Sequence, residues 1–160
     1  MQMRYPPNFT RSEFLASQTA TRLSINNEPS NRDIEENLVS LAWFLQSLRD
    51  RLQAEYGKVI PIIITSGFRS NALNIAIGGS KKSAHSHGLA ADFKCLGLTT
   101  DEVCRFIHKY FGQSEFDQCI DEFGDWVHLG IKRPATNETR RQFLLARKVA
   151  GETRYSLADY

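Results

Sequence analysis

The sequence predicts an α+β fold in which a largely antiparallel sheet is flanked by helices. Helical periodicity comes first, and β-branched and apolar runs cluster late. Two pairs of the late runs meet at glycine turns, around Gly124 and near Gly151. The chain has 160 residues, 41% hydrophobic and 24% charged, which is enough to bury a core without disulfide staples. No shift in composition divides it, so residues 1–160 are expected to form one domain.

Phe9-Thr10-Arg11-Ser12-Glu13-Phe14 reads as a helix start. Thr10 and Glu13 have capping-box spacing, and Phe9 and Phe14 have the spacing of a hydrophobic staple. Ser24 to Ser30, with Asn26, Asn27 and Pro29, is a loop. The longest helix is expected to begin near Ser30 or Asn31 and to stop at Gly57. Within it Ile34, Leu38, Leu41, Leu45, Leu48 and Leu52 recur at steps of four and three. Val59 to Thr65 is a β-branched run that reads as a buried strand, followed by the turn Ser66-Gly67-Phe68-Arg69-Ser70. A short helix over Asn71 to Ile77 ends at Gly78-Gly79. The polar loop Ser80 to Ser86 then leads into a strand over Leu89 to Leu96. Thr99 and Glu102 form a second capping box, opening a helix that runs to Phe111 before Gly112. Phe116 to Ile120 and Trp126 to Ile131 read as strands joined around Gly124, and Arg141 to Leu157 as a hairpin turning near Gly151.

The net charge of +2 permits an anionic partner without demanding nucleic acid. No aromatic–basic interleaving or nucleic-acid motif is present. Cys95, Cys104 and Cys119 are odd in number and lack CxxC spacing, so they read as reduced packing residues rather than a disulfide framework or zinc knuckle. The opening MQMRYPPNFTRSEF lacks the apolar core of a secretory signal. No apolar run approaches the ~20 residues of a membrane span. The expectation is synthesis in a cytoplasm and no membrane partner.

The most informative stretch runs from Ser83 to Asp92. His85 and Asp92 stand seven residues apart where a Ser/His/Gly loop turns into an apolar strand. Trp126-Val127-His128 places a second histidine on another strand-like run, 36 residues beyond Asp92. Two imidazoles and one carboxylate suit a catalytic zinc, with the fourth position left to water whose pKa falls toward ~7. Convergence of the three side chains would make the protein a hydrolase. Spacing alone leaves the other reading open, a solvated loop histidine and an isolated strand histidine.

Ser83-x-His85-x-x-Gly88-x-Ala90-x-Asp92 followed by Trp126-x-His128 resembles the signature of the D-alanyl-D-alanine carboxypeptidase-like metallopeptidases, the M15 family. The likeness extends to Ser66-Gly67-Phe68-Arg69-Ser70 and to Phe116-Asp117-Gln118. The opening from Asn8-Phe9-Thr10 and the basic tail hairpin are similar to the compact branch common in phage endolysins, so the likeness covers nearly the whole chain. The resemblance implies zinc held by His85, Asp92 and His128, and the fold that DD-peptidases share with Hedgehog signalling domains. It also implies cleavage of peptidoglycan stem peptides or cross-links, as an L-alanyl-D-glutamate endopeptidase or a D,D-carboxypeptidase. The expected partner is the peptidoglycan peptide, met after release from the cell by a monomer of phage or prophage origin with no separate wall-binding module.

Asp125 stands where the family places a carboxylate, usually glutamate, three residues before the final histidine. There it would take a proton from water and pass it to the leaving amine. Residues three apart on a regular strand face opposite sides, so Asp125 must belong to the turn that begins at Gly124. Glu122 is the rival base. Arg69 resembles the family arginine beside the scissile bond, which stabilises an oxyanion or grips a carboxylate bidentately. Ser83 is expected to bind substrate or orient a ligand. His87, two residues from His85, competes as a ligand if the loop register differs, and His108 reads as a surface helix residue. Trp126 shares a face with His128 and either walls the cleft or packs in the core. Lys132, Arg133, Arg140, Arg141, Arg147 and Lys148 read as a solvated basic face. A non-catalytic, zinc-stabilised binding domain of the same fold is the alternative, favoured by aspartate rather than glutamate at position 125.

Overall fold

Capping chemistry sets the helix starts. The computed structural model describes residues 3–160, so the first two residues of the MQMRYPPNFTRSEF opening lie outside it. In α1 (Arg11–Leu15) the Thr10 N–H donates to the Glu13 carboxylate at 2.6 Å, and Phe14 turns inward against Phe9. A further short helix, α2 (Gln18–Arg22), follows directly. It was not expected from the sequence, because one turn of helix carries no periodicity. The Ser17 hydroxyl, accepting from the Ala20 N–H, is its signal. Asn31 caps α3 (Arg32–Tyr56), and Gly57 ends it in the left-handed conformation with φ +66°. The predicted leucine stripe is buried along its length. The later helices are α4 (Asn71–Ala76) and α5 (Thr100–Phe111), the latter opened by the Thr99–Glu102 capping box.

The strands are β1 (Ile62–Ser66), β2 (Ala90–Cys95), β3 (Gln118–Glu122), β4 (Trp126–Gly130), β5 (Gln142–Val149) and β6 (Glu152–Leu157). They form one six-stranded sheet in the order β1-β2-β4-β3-β5-β6, with every pairing antiparallel except β3 with β5. β1 is shorter than the β-branched run suggested. Pro61 has no N–H for a ladder, and Val59 is exposed. β1 is also an edge strand with alternating burial rather than a fully buried one. The parallel pair arises because residues 131–141 loop over the end of β3. The Arg141 and Gln142 N–H groups donate to the Phe116 and Asp117 carbonyls.

One sheet face supplies Ile62, Ala91, Phe93, Cys95, Cys119, Val127 and Leu129 to the core, against α3, α5 and Phe14. The three cysteines are buried and unbridged, as packing residues. Register then dictates the other face. Asp92, His128 and Ile120 align across β2, β4 and β3, and Trp126, Glu122, Ala146 and Tyr155 align across β4, β3, β5 and β6. Among the described residues no helix is long and apolar enough to cross a membrane.

Two of the basic tail residues are not simply solvated. Arg140 clamps the buried Asp117 with two hydrogen bonds of 2.7 and 2.8 Å. Arg147 reaches the buried Asp121 at 2.9 Å, and the same carboxylate accepts the Gly124 N–H that closes the β3–β4 turn. Burial alone would raise the Asp121 carboxyl, but the Arg147 and turn hydrogen bonds outweigh it and hold it below the usual carboxylate range. A carboxyl depressed on folding stabilises the protein above its unfolded value, about 3.9, and that contribution is lost as pH falls below it. Arg147→Met should therefore cost about 1–3 kcal/mol at pH 7, the cost of leaving a buried carboxylate without its partner. The gap to the parent should narrow as melts are repeated down to pH ~3, and an undiminished gap there would contradict this role for Asp121.

Candidate metal centre

Four segments meet at Asp92. β2 presents it midway along the strand, and β4 sets His128 directly opposite in the antiparallel register. A 3₁₀ turn over Ala84–His87, ended by Gly88 at φ +67°, aims His85 inward. The segment after β1 brings Arg69. A Cβ on Gly88 would strike the Ile34 carbonyl of α3, so glycine both ends the turn and lets it pack on that helix.

The ligand-atom geometry is tight. His128 Nδ1 lies 2.9 Å from Asp92 Oδ1, and His85 Nε2 lies 3.3 Å from both. Each residue offers one atom, all within 4.8 Å of one another. Three ligands around zinc at ~2.0–2.1 Å stand roughly 3.3 Å apart when tetrahedral, so these separations and this N₂O donor set fit that ion. The outer contact of His85 also fits. Its Nδ1 donates to the Gly67 carbonyl at 2.7 Å, which leaves Nε2 with its lone pair facing the cluster.

Charge is distributed unevenly over the three. Burial lowers the His85 imidazole below its usual value even though Asp92 pulls the other way. Burial acts likewise on His128, but its hydrogen bond and charge contact with Asp92 outweigh that and raise it. Burial would lift Asp92, yet the two histidines hold it well below the carboxylate range. Asp92 is therefore an anion, and the rise at His128 favours a proton there with which a metal must compete.

The cluster lies in a cavity of about 760 Å³. Arg69 lines it and donates to Asp92 Oδ2 at 3.4 Å and to the Ser66 hydroxyl at 3.3 Å. Ser83 lines it too, at the start of the 3₁₀ turn. His87 sits exposed on the cavity wall and is not part of the ligand cluster. His108 is exposed on α5, edge-on to Phe143.

Asp125 does occupy the β3–β4 turn, but its carboxylate is exposed, bonded to Lys94, and absent from the cavity lining. Glu122 lines the cavity instead and accepts from the Trp126 indole N–H at 2.9 Å. Burial raises the Glu122 carboxyl, His128 pulls it back, and the Asp92 charge adds to the rise, leaving it above the ordinary glutamate value. The hairpin explains both positions. Phe123, Gly124 and Asp125 form a three-residue turn, so Glu122 pairs with Trp126 and shares the face of His128. Tyr155, Lys81 and Lys82, which the sequence did not single out, also line the cavity.

A family model described as peptidase M15 matches residues 7–130, which includes Arg69, His85, Asp92, Glu122 and His128. No curated protein matches the chain.

Two outcomes are expected. In Gly67→Ala the new methyl would collide with the Phe14 carbonyl, shifting the very carbonyl that holds His85. Zinc affinity should fall about 10–100-fold by chelator competition, the usual cost of losing a ligand's outer partner, and unchanged affinity would contradict the role given to Gly67. Zinc must also displace the His128 proton, so its affinity should climb with pH from about 6 and level off only above the ordinary imidazole value of ~6.5. An affinity flat from about pH 6 to 8 would contradict the raised His128 value.

Proposed function

Since the chain belongs to the peptidase M15 family, we propose that it is a zinc peptidase hydrolysing peptidoglycan stem peptides or cross-links. The observation that carries this reading is the convergence of His85, Asp92 and His128 inside an open cavity whose wall holds Glu122. On this reading the protein acts on the wall after release, in the manner of an endolysin. The bond it cuts is of the L-alanyl-D-glutamate endopeptidase or D,D-carboxypeptidase type.

His85 Nε2, Asp92 Oδ1 and His128 Nδ1 are the atoms that would hold zinc. Bound there, the ion supplies Lewis acidity that polarises a carbonyl and acidifies water. Glu122 takes the proton from the attacking water and delivers it to the leaving amine. Its raised pKa makes it a stronger base than an ordinary glutamate. Trp126 fixes the Glu122 carboxylate through the indole N–H. Arg69, held by Asp92 and Ser66, keeps a guanidinium beside the cluster to stabilise the developing oxyanion. Ser83 stands on the wall where its hydroxyl meets the substrate backbone. Glu122 on the cavity wall supports the catalytic reading over the non-catalytic alternative, which draws on aspartate at position 125.

Zinc-loaded protein incubated with purified sacculi should release new amino groups, and mass spectrometry of the muropeptides should identify the bond cut. His128→Ala and Asp92→Ala should lose both stoichiometric zinc and hydrolysis. Glu122→Gln should keep zinc and lose about 10²–10⁴-fold in kcat, the scale of a removed general base, while Asp125→Asn stays within severalfold of the parent. The opposite ranking of the last two variants would make Asp125 the base. Hydrolysis by a metal-free His128→Ala protein would sink the zinc reading.

A further inference from the structure

The cavity wall takes residues from both ends of the strands, and the two ends differ in charge. Asp92 and His128 lie mid-strand, with Glu122 and Tyr155 toward the Trp126 end. Toward the Gly130 end two loops contribute to the cavity wall. The loop before the 3₁₀ turn carries Lys81 and Lys82, and the loop after β4 carries Arg133. Both are tied to that end. The Leu89 N–H reaches the Ala84 carbonyl, and the Ile131 N–H reaches the Leu89 carbonyl.

The charges around the cavity do not cancel. Arg69 is matched by Asp92, Arg140 by Asp117, and Arg133 by the exposed Glu138. Among the described residues no carboxylate stands within ion-pair distance of Lys81 or Lys82, and both are exposed on the rim. The Arg140–Asp117 clamp and the backbone bonds of Arg141 and Gln142 fix the far end of the loop that carries Arg133. The cationic end is thus a feature of two anchored loops.

We propose that Lys81 and Lys82, on the cavity rim, form a carboxylate-binding subsite that selects peptides bearing a free carboxylate on one side of the scissile bond. This rests on the zinc-peptidase reading of the site. Mid-strand to the Gly130 end is two residues, roughly 7 Å at strand rise. One extended residue of substrate covers about half of that, so the recognised carboxylate sits within about two residues of the bond cut. Ammonium groups suit this task because they meet an anion from many directions and tolerate variation in the attached chain.

The test uses zinc-loaded full-length protein and two probes, a synthetic stem peptide with free carboxylates and the same peptide with them amidated. Binding is read by calorimetry and cleavage separately by mass spectrometry. Amidation should weaken binding about tenfold, the scale of one charge-assisted hydrogen bond, and K81A/K82A should lose the same factor and stop distinguishing the probes. K81E/K82E should favour the amidated peptide. Equal binding of both probes by the parent, binding of neither, or undiminished discrimination by K81A/K82A would overturn the subsite. Selective binding without cleavage would instead overturn the peptidase reading and leave the subsite standing. Cleavage without selectivity would do the reverse.

Discussion

A single buried carboxylate organises the site. β2 buries Ala90, Ala91, Phe93 and Cys95, and in their midst Asp92 is 6% exposed. A carboxylate taken out of water is costly unless positive charge and hydrogen-bond donors surround it. Here they come from His128 on the neighbouring strand and Arg69 beyond β1, while His85 on the 3₁₀ turn closes the cluster as the third group. No single element could supply all three, so the fold has to bring several ends together at one point. The β2–β4 register is what permits it. A slip of one residue would turn Asp92 or His128 to the helix face and leave the other without its partner. A metal ion at this point meets an anion already buried and two imidazoles already aimed.

That arrangement gives the N-terminal segment a purpose that its sequence does not advertise. The Phe68 N–H donates to the Phe14 carbonyl at 2.7 Å, docking α1 against the turn that carries Gly67 and Arg69. Asn27, in what reads as a featureless polar loop, donates to the Leu15 and Phe68 carbonyls and accepts from the Ser70 N–H. Gly67 can hold His85 because this packing fixes its carbonyl, and it must be glycine because the Phe14 carbonyl occupies the space of a side chain. Phe14, Leu15 and Asn27 thus act on the imidazole at one remove, through backbone position.

Local signals were legible in the sequence and cross-strand ones were not. Capping boxes at Thr10 and Thr99, the leucine stripe of α3 and the glycine turns all declare themselves within a few residues, because their interactions are local. The three residues of the cluster were legible as residue types whose spacing fits two strands and a loop. The parallel β3–β5 pairing was not, since it depends on where residues 131–141 lead the chain. Nor was α2, whose only mark is one serine cap. Glu122 shows the limit best. Its distance from His128 in sequence says nothing until the turn length is known, and a three-residue turn then puts it on the histidine's face. The Trp126 indole was the available clue, because a half-buried N–H on that face needs an acceptor across the ladder.

The turn also separates two acids in space. Glu122 closes the β3–β4 ladder, so its side chain must follow the pleat onto the site face, where the indole and the neighbouring strands hold it. Asp125 lies within the turn, free of the pleat, and its short side chain finds the Lys94 ammonium at the surface. Lys94 itself sits two residues after Asp92 and so on the same sheet face, reaching outward along the strand rather than in toward the cluster. An acid that must exchange a proton benefits from confinement beside another negative charge, because confinement moves its pKa toward neutrality. The hairpin therefore places the half-enclosed carboxyl on the cavity wall, and the carboxylate nearer His128 in sequence pins the turn to β2.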